Sequence, residues 1–267
     1  GTEVTSQRLA DMMLELQDRR LIAALQCVDA VAREPIQSPL RIEGEGIRLI
    51  RNRLGFYVAT AAPGFADYTQ QFDPAELTAP PSGSVELLVT DPRGQYLPRR
   101  FQLPIPRSLD SEAETTIFQP VVIPLFPAPG LTRPQPGWAV FRASITDAAD
   151  NPLPWALIEV TRATDPVINA LSQADDRGEA LIAVSNLPLI LVSAAPEPEE
   201  EASPELLPQA VTATATVIFD PTQGTAIPNP DDLLARRATL PQGTLPLSVA
   251  AARSQSTTLT FTLNPPP

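Results

Sequence analysis

From Leu21 onward, apolar and polar positions alternate with a period of two, the pattern of half-buried strands. RLIAALQCVDAV reads as a strand and AREPIQSP as a proline turn, followed by LRIEGEGIRLIRNRLGFYVATA as two more strands with glycine breaks. After GFADYTQQFDP and TAPPSG come SVELLVTD, the turn PRGQ, and YLPRRFQLPIP. That makes about six strands in roughly 85 residues, the spacing of a β-sandwich. A second series begins at Gly137 with WAVFRASITD, NPLPWALIEVTRAT, GEALIAVSN, PLILVSA, QAVTATATVIFD and TTLTFTLN. Between the two series, SLDSEAETT is polar, PLFPAPGLTRPQPG is an extended proline-rich linker, and the prolines of IFQPVVIPL confine it to a sheet edge.

Helical periodicity is confined to two places. Over residues 5–19, Thr5 or Ser6 can cap a helix whose Leu9, Met12, Met13 and Leu16 share one face. That stripe either packs on the adjacent domain or docks on another subunit. PNPDDLLARRATLP predicts a short helix near 230–238, with Asn229 or Asp231 near its start. The expected organisation is therefore an N-terminal helix (1–20), a first sandwich (21–106), a linker (107–136) and a second sandwich (137–267) carrying an acidic, mobile loop at 196–208.

Composition sharpens the picture by exclusion. The 32 prolines among 267 residues lie far above the usual share and rule out long helices through most of the chain. Every basic residue is Arg; Lys and His are absent. A Ser-His-Asp or Cys-His arrangement, a P-loop lysine and a Schiff-base lysine therefore cannot be built from this chain. The net charge of -12 disfavours nucleic acid and anionic membrane surfaces. No stretch approaches the ~18 apolar residues of a spanning helix. The single Cys27 lies in an apolar run, which suits a buried thiol, and it cannot form an intrachain disulfide. A cytoplasmic protein, or one assembled into a particle in the cytoplasm, is expected; a signal peptide removed before Gly1 would make it secreted or periplasmic.

The two halves share an order of features. Asp29, Pro35-Ile36, a strand and Gly55 in the first answer to Asp147, Pro152-Leu153, a strand and Gly178 in the second, as one unit used twice. SITDAADNPLPWALIEV with DDRGEALIAV, within residues 138–190, resembles carboxypeptidase regulatory-like domains, which are transthyretin-like β-sandwiches. CVDAVAREPIQSPLRIE with NRLGFYVA, within residues 26–60, is a weaker match. The resemblance implies an all-β fold of two Ig/transthyretin-like β-sandwich domains in tandem behind the short N-terminal helix, and a non-catalytic accessory or binding module. The glycine usual in the first turn is replaced here by Asn151 and by Glu34. The first half, with RLGFYV and DPRGQYLPRRF, also resembles proteins of phage-tail-like contractile injection particles.

The residues themselves point the same way. Asp147 and Asn151 can hydrogen-bond turn amides, Pro152 presets its dihedral, and Gly178 after Asp176 can take the positive φ that a side chain resists. Asp175 and Asp176 could hold calcium, yet their spacing matches no EF-hand loop. No pair of acids is singled out for glycosidase chemistry. Trp138, Trp155, Tyr57, Tyr68 and Tyr96 form either a sugar-stacking platform or parts of the core. Arg99, Arg100 and Arg107 gather positive charge suited to a carboxylate-rich partner, or guard a strand edge. The expectation is a non-enzymatic structural or adaptor protein with protein partners, no cofactor and no metal, working as an oligomer or in a larger assembly. The alternatives are an extracellular or periplasmic carbohydrate-binding or adhesin module and, less well supported, a hydrolase.

Overall fold

The computed structural model describes residues 21–70, 80, 82–131, 137–185, 187, 189–192 and 205–265. The helix expected over 5–19, with Leu9, Met12, Met13 and Leu16, lies outside the described residues. The regular structure of the described chain is almost wholly strand, arranged in several sheets. It divides into two compact units.

Unit 1 comprises the residues up to Val28, Pro35–Thr90 and Arg100–Ile123. The strands that build it are β1 (Ala23–Asp29), β2 (Arg41–Gly44), β3 (Arg48–Arg51), β4 (Tyr57–Ala61), β5 (Gly83–Thr90), β6 (Arg99–Ile105) and β7 (Val121–Leu125). One sheet runs β3-β4-β1-β7 and another β2-β5-β6. The alternation seen in the sequence sets the burial. On β5, Val85, Leu87 and Val89 are buried while Glu86 between them is exposed. Strand β7 ends its sheet, where Pro124 costs the ladder nothing.

Unit 2 comprises Asp29–Glu34, Asp91–Arg99 and the chain from Pro124 onward. Its strands are β8 (Ala139–Asp147), β9 (Leu157–Arg162), β10 (Ile168–Gln173), β11 (Glu179–Val184), β12 (Leu189–Val192), β13 (Glu205–Pro208), β14 (Ala210–Ile218), β15 (Gln242–Ala250) and β16 (Ser254–Phe261). An antiparallel sheet runs β10-β9-β14-β15; the second, β11-β8-β16, pairs β8 and β16 in parallel. Alternate residues of both sheets fill one core, among them Phe141, Ile145, Ile158, Val160, Val217 and Phe261. That sandwich-like layering follows from period-two strands that can bury only one face. Helix α1 (Pro230–Ala235) begins where expected. Asn229 caps it by accepting from the Asp231 amide at 3.1 Å, and a 3-10 turn follows at Arg237–Thr239.

The units do not divide at a single linker within 107–136. Segments 29–34 and 91–99, read as parts of the first sandwich, belong to unit 2, and residues 107–123, read as linker, belong to unit 1. Backbone pairing and burial explain the reassignment. The Leu97 amide donates to the Phe126 carbonyl at 2.8 Å and the Ala30 amide to the Leu125 carbonyl at 2.9 Å. Leu97 and Phe126 are buried with Leu157, Ile218, Leu233 and Leu240. Apolar side chains far apart in sequence thus share one cluster, which a linear reading of composition does not reveal. Residues 205–208, read as the end of the acidic loop, form strand β13, paired with β12; residues 193–204 lie outside the described part.

Candidate functional site

The corners that carry the sequence motifs are hydrogen-bonded turns. Asp147 Oδ1 accepts from the backbone amides of Ala149 (2.8 Å) and Asn151 (2.9 Å), and Asp147 Oδ2 accepts from the Asn151 side chain at 2.9 Å. The Asp147 amide donates to the Asn151 carbonyl at 2.9 Å, Thr146 bridges Pro152, and the Leu153 amide reaches the Ile145 carbonyl at 2.9 Å. Asp29 repeats the construction. Its Oδ1 accepts from the amides of Val31 (2.7 Å) and Ala32 (2.9 Å), its own amide donates to the Glu34 carbonyl at 2.9 Å, and Val28 bridges Pro35. In both turns the residue before the last, Arg33 (φ 61) or Asp150 (φ 63), is left-handed. Asp147 and Asp29 therefore occupy equivalent positions.

A second turn recurs three times. Asn52, Asp91 and Asp175 each stand three residues before a glycine of positive φ: Gly55 (88), Gly94 (65) and Gly178 (82). The glycine amides donate back to the carbonyls of these residues at 3.1, 3.0 and 3.1 Å respectively. In each turn the side chain also accepts from the amides two and four residues on. Asp176 lies within the third turn, as expected, but the carboxylate that accepts the amides is its neighbour's. The turn acid is buried Asp175, whose Oδ1 accepts from the Arg177 and Glu179 amides at 2.9 Å each, while Asp176 is exposed. Asp175 Oδ2 is also taken up, by the Arg177 guanidinium at 3.0 Å. The geometry is that of a turn rather than a calcium loop. Among the described residues, no group of three His, Cys, Asp or Glu side chains stands close enough to hold a metal.

The three arginines do not form one basic surface. Arg99, in unit 2, is only 1% exposed. Its Nη2 pairs with Asp231 at 2.6 Å and its Nη1 donates to the Pro124 carbonyl at 2.9 Å. Arg100, in unit 1, pairs with Glu86 on the neighbouring strand. Arg107 Nη2 donates to the Thr116 carbonyl at 3.2 Å, and burial lowers its pKa. Arg99 is thus not available as a partner-binding residue. Its counter-charge lies 132 positions on in the sequence, beyond any local signal.

The aromatics form no platform either. Trp155, Tyr57 and Tyr68 are buried, and Trp138 packs on the small cluster of Val140, Leu181 and Ala183. The Tyr96 hydroxyl donates to Asp29 Oδ2 at 3.0 Å. Burial, reinforced by the Asp29 carboxylate, pushes the phenol well above its ordinary value. The folded state therefore holds this proton at a pH where the unfolded chain releases it. The associated stability is present below about pH 10 and is lost as pH rises toward the folded pKa. Alkaline titration followed by tyrosinate absorbance should show a late component that disappears in Tyr96→Phe. At the acid end, Asn151 and its backbone amide hold the Asp147 carboxyl below its usual range. Burial raises Asp220, but its bonds to Thr222 and Arg236 outweigh that and leave it lowered too. The stability from this pair is present above the unfolded carboxylate value near pH 4 and falls as pH drops through the lowered values. In acid unfolding, Asp220→Asn should flatten that dependence.

Two features had no clear signal in the sequence. The first is a cavity of about 430 Å³ in unit 2. Buried Phe126 and partly buried Val31, Leu171 and Leu234 line its apolar side. Arg33, Glu159, Asn169 and Asp231 line the polar side, together with Arg99. Glu159 is held by Arg237 through two bonds of 2.9 and 2.7 Å. These residues come from separate stretches of chain, so no spacing announced them. The second is an exposed apolar group in unit 1: Phe118 (70% exposed), Val122 (49%) and Leu109 (45%). The Ile117 amide donates to the Ser108 carbonyl at 2.8 Å, which joins the backbone on either side of this loop. Asp110, Glu112 and Glu114 on the same loop are exposed. No protein-family model and no curated protein matches this chain.

Proposed function

We propose that the chain is a non-catalytic structural or adaptor protein acting through protein–protein contacts, a subunit of an assembly of the phage-tail-like contractile kind that its first half resembles. Its fold, on this reading, is the tandem Ig/transthyretin-like pair of the regulatory-like family. The observation that carries the proposal is the exposure of Leu109, Phe118 and Val122 along a segment that also exposes Asp110, Glu112 and Glu114. Interface cores have this composition, with large apolar anchors inside a charged, solvated rim. The corner acids Asp29, Asp91, Asp147 and Asp175 add support, because their carboxylates already accept backbone amides in turns.

Light scattering of the protein recovered from its native source should give a mass well above the 28.7 kDa of one chain. Phe118→Asp should release the partner while leaving melting nearly unchanged, since surface substitutions usually stay within about 0.5 kcal/mol. A wild-type monomer from that source ends the adaptor reading. A complex indifferent to Phe118→Asp moves the contact elsewhere on the chain.

A further inference from the structure

The cavity of unit 2 has the dimensions of a small-molecule site, since such sites span roughly 300–1,000 Å³ and combine apolar walls with a few convergent polar groups. Most of its charges are already matched: Arg99 with Asp231 at 2.6 Å, and Glu159 with Arg237 at 2.9 and 2.7 Å. Arg33 differs. An exposed residue of the lining, it has no side-chain hydrogen-bond or ion-pair partner among the described residues, and neither do Asn169 and Ser185. Arg33 also sits at φ 61, a conformation that a non-glycine residue holds only when its surroundings impose it.

We infer that this cavity binds a small organic monocarboxylate, with the Arg33 fork on the carboxylate and the apolar body of the ligand against Phe126, Leu171 and Leu234. A planar guanidinium matches a carboxylate through two parallel bonds. A single negative charge is favoured because, among the described residues of the lining, Arg33 is the cation not already matched by a carboxylate. Asn169 and Ser185 supply further polar contacts at the rim. The site is independent of the apolar group on unit 1.

Calorimetric titration of the full chain with butyrate, cyclohexanecarboxylate and 3-phenylpropionate tests this, with 3-phenylpropanol as the neutral control and phenyl phosphate as the doubly charged one. At least one carboxylate should bind in the micromolar to millimolar range, and both controls should bind at least about tenfold more weakly, given the strength of charge-assisted bonds. Arg33→Gln should weaken carboxylate binding about tenfold or more at unchanged melting temperature. Where Gln lowers melting, Arg33→Gly removes both the guanidinium and the backbone strain and serves instead. Leu234→Trp, which extends a partly buried side chain of the lining while keeping Arg33, should abolish binding. The inference is overturned if no carboxylate binds at millimolar concentration, if the alcohol binds as well as its acid, or if loss of the Arg33 guanidinium leaves the affinity unchanged.

Discussion

Gly178→Val is expected to lower the stability of unit 2 by about 2–6 kcal/mol, the largest effect of any single change at the motif corners. Two costs combine. The residue sits at φ 82, where a β-branched side chain is strained by about 1–3 kcal/mol. A Cβ there would also stand 3.1 Å from the Ile145 carbonyl oxygen, the Leu153 amide nitrogen and Pro152 Cβ. The first two are backbone atoms joined to each other by a 2.9 Å hydrogen bond, so they cannot move aside cheaply. Overpacking of this kind adds about 1–3 kcal/mol. Urea unfolding followed by tryptophan fluorescence reads the change directly, because both Trp138 and Trp155 lie in unit 2. Gly94→Val in the same unit is the control: its φ is 65 but nothing lies within 4 Å of the added atom, so only the strain should appear. Equal losses at the two glycines would refute the close-approach argument.

Asp175→Ala is the second large effect, expected at about 2–3 kcal/mol. The change leaves the Arg177 and Glu179 amides without their acceptor, and an orphaned donor that stays buried costs about 1–3 kcal/mol. Glu179 opens β11 opposite Ser144 of β8, so the loss reaches the sheet as well as the turn. Asp175→Asn keeps a side-chain acceptor and should cost less. Asp176→Asn should stay within about 0.5 kcal/mol, as an exposed position does. The reverse ranking, with Asp176 the costly acid, would mean that the hydrogen bonds at Asp175 do not hold the corner.

Much of this architecture was legible in the chain because its causes are local. Period-two alternation on β5, β8 and β14 needs only neighbouring residues to show which face is buried. The proline at Pro124 limits β7 to an edge by removing a donor, whatever surrounds it. The Asp-to-glycine spacing at Asp175–Gly178 likewise carries its own turn, since acceptor, amides and positive φ all lie within five residues. The same rule nevertheless misled at one point. Two adjacent acids looked alike in sequence, and only the fold buries Asp175 and leaves Asp176 in water.

By itself, then, the sequence determined an all-β chain with proline-bearing edges, glycine turns opening strands, a short helix starting near Asn229 or Asp231, and no histidine or lysine for chemistry. Each of these depends on bond geometry, hydrogen bonding within a few residues, or composition alone. Tertiary structure decided what depends on distant partners. It drew segments 29–34 and 91–99 into unit 2 by burying Leu97 beside Phe126, Leu157 and Leu233. It placed Arg99 in the interior opposite Asp231, although that arginine sits in a run that reads as a basic surface strand. It brought Arg33, Asn169 and Leu234 to one cavity and left Phe118 exposed. Long-range pairing of this kind is set by shape and charge complementarity between segments, which no window along the chain contains.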